Sequence, residues 1–128
     1  WTTKNGWFFD LGASPGERVN IDPLLTLGTL NVLSNVPGTN VCTTGGITWY
    51  YQIDYLTGSY IPTAPGVTTI ATKLTGSMAV GQVVSELSGS GGLRNFITNG
   101  NGTVISQGVN TNNSSNSSRK TSWRQITR

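Results

Sequence analysis

The chain has 128 residues, 8 Lys/Arg against 5 Asp/Glu and no histidine, and charged residues make up only 10% of it, where about 25% is usual in soluble domains. Thr (19), Ser (13) and Asn (12) together supply 44 residues and Gly another 17, so polarity comes from hydroxyls and amides, a composition that suits β-sheet surfaces and exported bacterial proteins. Without histidine the chain cannot build a Ser-His-Asp or Cys-His centre, and its single cysteine, Cys42, excludes an internal disulfide, a zinc cluster or a redox pair.

Strand signals recur from end to end. Trp7, Phe9 and Leu11 alternate with Phe8 and Asp10, predicting a first strand that GASPG closes as a turn. Val19 and Ile21 alternate with Arg18, Asn20 and Asp22, predicting a second strand that Pro23 stops, since proline has no N–H for a ladder. Leu25 and Leu27 share a face, as do Leu30 and Val32 beyond Gly28. The segment NVPGTNVCTTGG reads as a loop. Ile47, Trp49, Tyr51 and Ile53 form one face of a strand, with Thr48, Tyr50, Gln52 and Asp54 on the other. YLTGSYIPTAPG is a connection whose two prolines break any helix.

Further strands are predicted from Val67 to Leu74, Met78 to Leu87, Leu93 to Thr98, Thr103 to Val109 and Thr121 to Thr127. Of these only Met78 to Leu87 resembles a helix, and Gly81 with the Val83–Val84 pair favours strand. VNTNNSSNSS, residues 109–118, reads as a mobile loop. The expectation is an all-β chain. GWFFDL near the start and SWRQIT near the end each place Trp in a short strand after a polar turn, with about two sets of strands between. Repeated four-stranded sheets suggest propeller blades, although sandwich strands give a similar pattern.

No stretch approaches the roughly 20 apolar residues of a membrane helix, so no membrane span is expected. The chain starts at Trp1 with no methionine or signal-like segment, which reads as a processed product, an excised piece or a fragment. Four cations, Arg119, Lys120, Arg124 and Arg128, fall in the last ten residues. A solvated basic strand explains them better than nucleic-acid binding, because the Gly-aromatic pattern of an RNA-binding sheet is missing.

Candidate sites are sparse. The carboxylates Asp10, Glu17, Asp22, Asp54 and Glu86 are scattered, whereas glycoside hydrolysis needs two facing each other across a cleft. The sequence holds no D-x-D-x-D-G calcium loop, no CxxC and no GxxxxGK phosphate loop. GSGG at 89–92 reads as a hairpin, not an anion cradle. Asp54 sits just before a turn, where its carboxylate accepts backbone N–H groups of the turn that Thr57 and Gly58 complete. Trp49, Tyr50 and Tyr51 dock between sheets, with an outward Tyr50, or Tyr60, left as a stacking position for a sugar. Asn101, Asn112, Asn113 and Asn116 match the Asn-x-Ser/Thr pattern, as chance allows in so Asn/Ser-rich a chain. Cys42 reads as buried and unpaired, paired with a thiol outside this sequence, or reactive.

GWFFDL, GERV, Pro23, VPGTNVCTTGGITWYYQIDYLTG and SWRQI occur in one order. Over nearly all 128 residues this series resembles the C-terminal region of the PilC/PilY family of type IV pilus assembly and tip-adhesin proteins. The resemblance implies the C-terminal portion, about two blades, of a quinoprotein-like β-propeller. Residues 1–61 would supply strands of one blade with the end of the preceding one, and 62–128 the final blade. It implies a non-enzymatic scaffold at the bacterial surface or pilus tip, exported through the periplasm, acting in pilus biogenesis and attachment. Its partners would be the remainder of the parent propeller, pilins or minor pilins, and a host surface, with self-association through unpaired strands when the rest is missing.

The family's calcium loop has no counterpart here, so no metal, cofactor or catalytic residue is expected. The sequence departs from the family pattern at Gln125, where an acid is usual, and in Tyr-Tyr-Gln-Ile before Asp54. The alternatives are an autonomous carbohydrate- or surface-binding β-domain that uses exposed aromatics, and an enzyme related to quinone-dependent dehydrogenases. The latter needs clustered acids that the sequence lacks.

Overall fold

A computed structural model describes residues 6–38, 45–61, 71–88 and 92–111. Among them every regular element is a strand, and the chain is all-β. In order these are β1 (Leu24–Thr26), β2 (Thr29–Pro37), β3 (Gly46–Asp54), β4 (Thr72–Leu74), β5 (Ala79–Leu87), β6 (Gly92–Asn99) and β7 (Val104–Gly108).

The strands form two consecutive antiparallel meanders, a four-stranded sheet ordered β1-β2-β3-β4 and a three-stranded sheet ordered β5-β6-β7. Short turns set the registers. Leu27 and Gly28 both take positive φ, 45° and 84°, in the two-residue link that pairs Thr26 with Thr29, the geometry that matches strand twist in a tight hairpin. Leu33 faces Tyr50 across the β2–β3 pair, and Ile105 faces Ile97 across β6–β7.

Period-two alternation then gives the first sheet two buried faces. One side of it carries Leu33, Tyr50 and Leu74, which pack with Ala79 and Ile97 of the second sheet, joined by Ile21 and Ile105. The other side carries Val32, Tyr51 and Ile53, covered by Trp7, Phe9 and Leu11. The predicted face of Ile47, Trp49, Tyr51 and Ile53 is thus the one beneath the N-terminal arm.

Several expectations change. Trp7 to Leu11 keep their alternation, with Phe8 86% exposed, but they join no ladder; they form an extended arm held by side chains. Its clamps are the Trp7 indole N–H donating to the Tyr55 carbonyl at 2.8 Å and a T-shaped Phe9–Tyr51 contact with centroids 5.3 Å apart. The strand expected around Val19 and Ile21 reduces to one bridge, Arg18 to Asn35, on the β2 edge past the Thr29–Asn31 stretch that β1 pairs with. The loop expected from Asn35 to Gly46 is shorter: β2 continues to Pro37, β3 begins at Gly46, and the Gly38 N–H still donates to the Gly45 carbonyl at 2.9 Å. Met78 to Leu87 is strand, as Gly81 and the valine pair predict, with a bulge between Ala79 and Gly81. The strand expected from Thr121 to Thr127 lies outside the described residues, as do Cys42 and the basic cluster.

Candidate functional site

The residues that sequence reasoning singled out are not brought together. Asp54 ends β3, and its Oδ1 accepts the N–H of Leu56 at 2.8 Å and of Thr57 at 3.3 Å. The Gly58 N–H closes the turn onto the Asp54 carbonyl at 2.8 Å, the structural role expected of it. Glu17 lies on the arm side of the first sheet, accepting the hydroxyls of Tyr51 and Ser34 and the Ser14 N–H at 3.3 Å. Burial first, and then the Glu17 carboxylate, push the Tyr51 hydroxyl above its ordinary range. Glu86 stands opposite Leu93 on the distant β5–β6 pair. Among the described residues no three His, Cys, Asp or Glu side chains gather as a metal site would require.

Tyr50 docks between the sheets, as the favoured sequence reading expects, and the outward alternative falls. It does not point outward for a sugar; it is 2% exposed, wedged between the sheets with its hydroxyl donating to Asn31 Oδ1 at 2.5 Å. Burial pushes its pKa up to about 12, against a smaller opposite pull from Asn95. Tyr60 is half-buried and bridged to Ile53. The hairpin expected at GSGG is present, with Leu87 paired to Gly92, while residues 89–91 lie outside the described set. Asn101 is exposed at the β6–β7 turn, and Asn112, Asn113 and Asn116 lie outside the described residues.

What the sequence reading missed is a layer of buried amides and hydroxyls between the sheets. Asn31, Asn35, Thr48, Gln52, Asn95 and Asn99 are each at most 3% exposed. Asn35 Nδ2 donates to the Ala79 carbonyl at 2.8 Å, and its Oδ1 accepts the Thr48 hydroxyl at 2.7 Å. Gln52 Nε2 donates to the Gly108 carbonyl at 3.1 Å, and its Oε1 accepts the Asn110 N–H at 2.6 Å. Gln82 reaches the Asp22 carbonyl at 2.9 Å and accepts Asn95 Nδ2 at 2.8 Å. The bonds to Ala79, Gly108, Asn110 and Asp22 join residues 44 to 60 apart in sequence, so the layer works as a clamp. Among the described residues, Asn95 Oδ1 and Asn99 Oδ1 are buried with no hydrogen-bond partner, a cost the layer carries. The signal was present as Asn31-x-Leu33-x-Asn35 and Thr48-x-Tyr50-x-Gln52, where polar residues alternate with the arm-facing apolar set.

At one edge of the sheet pair, Asn20, Ile21, Asp22 and Leu24 with Val80–Gln82 frame an open groove of about 400 Å³. It carries one carboxylate, Asp22, which suits contact rather than two-carboxylate chemistry. No protein-family model matches the chain, and neither the curated proteins nor the solved structures give a match.

Proposed function

We propose that the chain is a non-enzymatic scaffold module, working as the resemblance to PilC/PilY implies: a segment of a type IV pilus-associated assembly factor or adhesin that supports pilus biogenesis and surface attachment. The observation that carries this reading is the use of the polar side chains. Asn35, Thr48, Gln52, Gln82 and Glu17, which in an enzyme or sugar-binding site would face a ligand, are tied to backbone or to one another across the fold. The buried position of Tyr50 removes one of the two tyrosines on which the sugar-stacking alternative leaned.

Support for two propeller blades comes from the two successive meanders, each in strict sequence order and stacked face to face. Blades stack this way around a propeller axis. On this reading the Trp7–Leu11 arm is the end of a preceding blade, and the bare face of the second sheet meets the next part of the assembly.

The test is genetic. In the piliated bacterium that carries this chain, Leu33→Asp is expected to reduce surface pili and attachment, since it puts a charge into the inter-sheet core. Phe8→Ala, at an exposed position, should change neither. Normal piliation and attachment in the Leu33→Asp strain, with the variant protein shown to be misfolded, would overturn the proposal.

A further inference from the structure

The turn between β6 and β7 reads Asn99-Gly100-Asn101-Gly102-Thr103, with two Asn-Gly pairs in tandem. They are held very differently. Asn99 is 2% exposed; its Nδ2 donates to Thr103 Oγ1 at 3.0 Å, and the following Gly100 N–H is bound to the Met78 carbonyl at 2.8 Å. Asn101 is exposed at the tip. Its side-chain carbonyl oxygen, Oδ1, accepts two donors from one residue, the Thr103 N–H at 3.0 Å and the Thr103 hydroxyl at 2.7 Å.

We infer that Asn101 is a site of self-modification, at which the Gly102 nitrogen closes on the Asn101 side chain to form a succinimide that water then opens to aspartate or isoaspartate. Three features select it. The two Thr103 donors polarise the Cγ–Oδ1 carbonyl and stand where negative charge grows as it is attacked, the arrangement of an oxyanion hole. The attacking nitrogen belongs to a glycine, and space around Gly102 is open, with no heavy atom within 4 Å of where a Cβ would sit. Asn101 is exposed, so water can reach and protonate the departing Nδ2.

In the step, the Gly102 N–Cγ bond forms and the Cγ–Nδ2 bond breaks. The Gly102 proton leaves to solvent base, and the amide departs as ammonia. Water then adds to either imide carbonyl, so nothing is oxidised or reduced. The Gly102 N–H also donates to the Asn99 carbonyl at 2.9 Å, a bond that must open first, as bonds at exposed hairpin tips do readily. At Asn99 the corresponding nitrogen is fixed under Met78 and the side chain is enclosed.

The consequence is a charge and a shape change at one end of the second sheet. A carboxylate replaces an amide, taking the formal net charge of +3 down by one. The isoaspartyl form adds a backbone methylene within the turn that sets the β6–β7 register. A scaffold that persists at a cell surface would carry this as a mark of its age.

The experiment incubates the intact folded chain at mildly alkaline pH and maps its peptides by mass spectrometry, with an isoaspartate-specific methyltransferase as second readout. Asn101 is expected to convert while Asn99 stays an amide. Thr103→Val, which removes the hydroxyl donor, should slow Asn101 by about five- to tenfold, the worth of one exposed hydrogen bond in a rate, and Thr103→Ser should restore it. Circular dichroism on each variant confirms that the strands persist. Equal conversion of Asn99 and Asn101 in the folded chain, or a Thr103→Val rate equal to that of the parent sequence, overturns the inference.

Discussion

Asn35 treats Ala79 as a strand partner would. Its Oδ1 accepts the Ala79 N–H at 3.1 Å and its Nδ2 donates to the Ala79 carbonyl at 2.8 Å, joining residues 44 apart in sequence and belonging to different sheets. A side-chain amide has one acceptor and one donor group side by side, so it reproduces the two-bond exchange of an antiparallel pair. Truncation to Asn35→Ala leaves the Ala79 carbonyl, the Thr48 hydroxyl and Asn20 Oδ1 without this partner. A loss of about 2–4 kcal/mol is expected, the range for a broken buried network. Urea unfolding followed by circular dichroism measures it, and a loss below about 0.5 kcal/mol would show that the clamp is dispensable.

Gly58 controls the arm. It sits at φ 72°, and a Cβ there would stand 2.6 Å from the Trp7 ring. Gly58→Ala therefore meets left-handed backbone strain of about 1–2 kcal/mol and an aromatic ring that must move. The ring is held by its bond to the Tyr55 carbonyl, and its displacement uncovers Tyr51 and Ile53. The expected result is a destabilisation of about 2–4 kcal/mol with cleavage of the arm by protease well before the sheets open. Equal protease resistance in the variant and the parent chain would remove Gly58 from this role.

The alternation along β3 was legible because each residue type kept its side of the sheet, and Gly81 with Val83 and Val84 was enough to choose strand for β5. Asp54 was legible too, since a carboxylate ahead of Thr57-Gly58 has a local use that needs no distant partner. The amide layer was not. Period-two reasoning sends polar residues to water, and Asn31, Asn35 and Gln52 go inward only because a second sheet supplies Ala79, Gly108 and Asn110 as partners. That knowledge is tertiary. The same limit left an outward Tyr50, which shares their face, open as an alternative to docking between sheets, and turned the Trp7–Leu11 strand into an arm: alternation reports which side is buried, not whether a neighbouring strand offers a ladder.

Tyr50 predicts an alkaline limit to stability. Its folded pKa is about 12 against an ordinary value of 10.0. Between those values the folded state keeps a proton that the unfolded state releases, so stability is complete below pH 10 and falls as pH rises toward 12. At about 1.4 kcal/mol per unit, the loss from Tyr50 is about 2–3 kcal/mol. Tyr50→Phe should flatten that slope while costing about 1–2 kcal/mol at neutral pH, because Asn31 Oδ1 loses its donor. Unfolding free energies at neutral and alkaline pH decide it; an unchanged slope in the phenylalanine variant would contradict the assignment. Glu17→Gln should bring tyrosinate absorbance in at lower pH, as Tyr51 loses the neighbouring negative charge that opposes its ionisation.

Among the described residues, none covers the outer face of the second sheet as the arm covers the first. Val83 stands opposite Phe96 and Val104 opposite Thr98, with Val83 58% and Val104 60% exposed, and the bulged Val80 beside them is 63% exposed. The first sheet has its corresponding apolar face covered by Trp7, Phe9 and Leu11, so the asymmetry lies in the covering and not in the sheets. An apolar face of this kind, flanked by an edge of the nine-residue β5 that pairs with no other described strand, favours self-association in water. Gel filtration with light scattering should therefore find oligomers whose fraction rises with concentration. Val83→Lys with Val104→Lys should return the chain to monomer at a stability change within about 1 kcal/mol, because both positions are exposed. If the double variant still associates to the same extent, the contact runs through the β5 edge, and Val84→Pro, which removes a backbone donor from β5, is the substitution that should then abolish it.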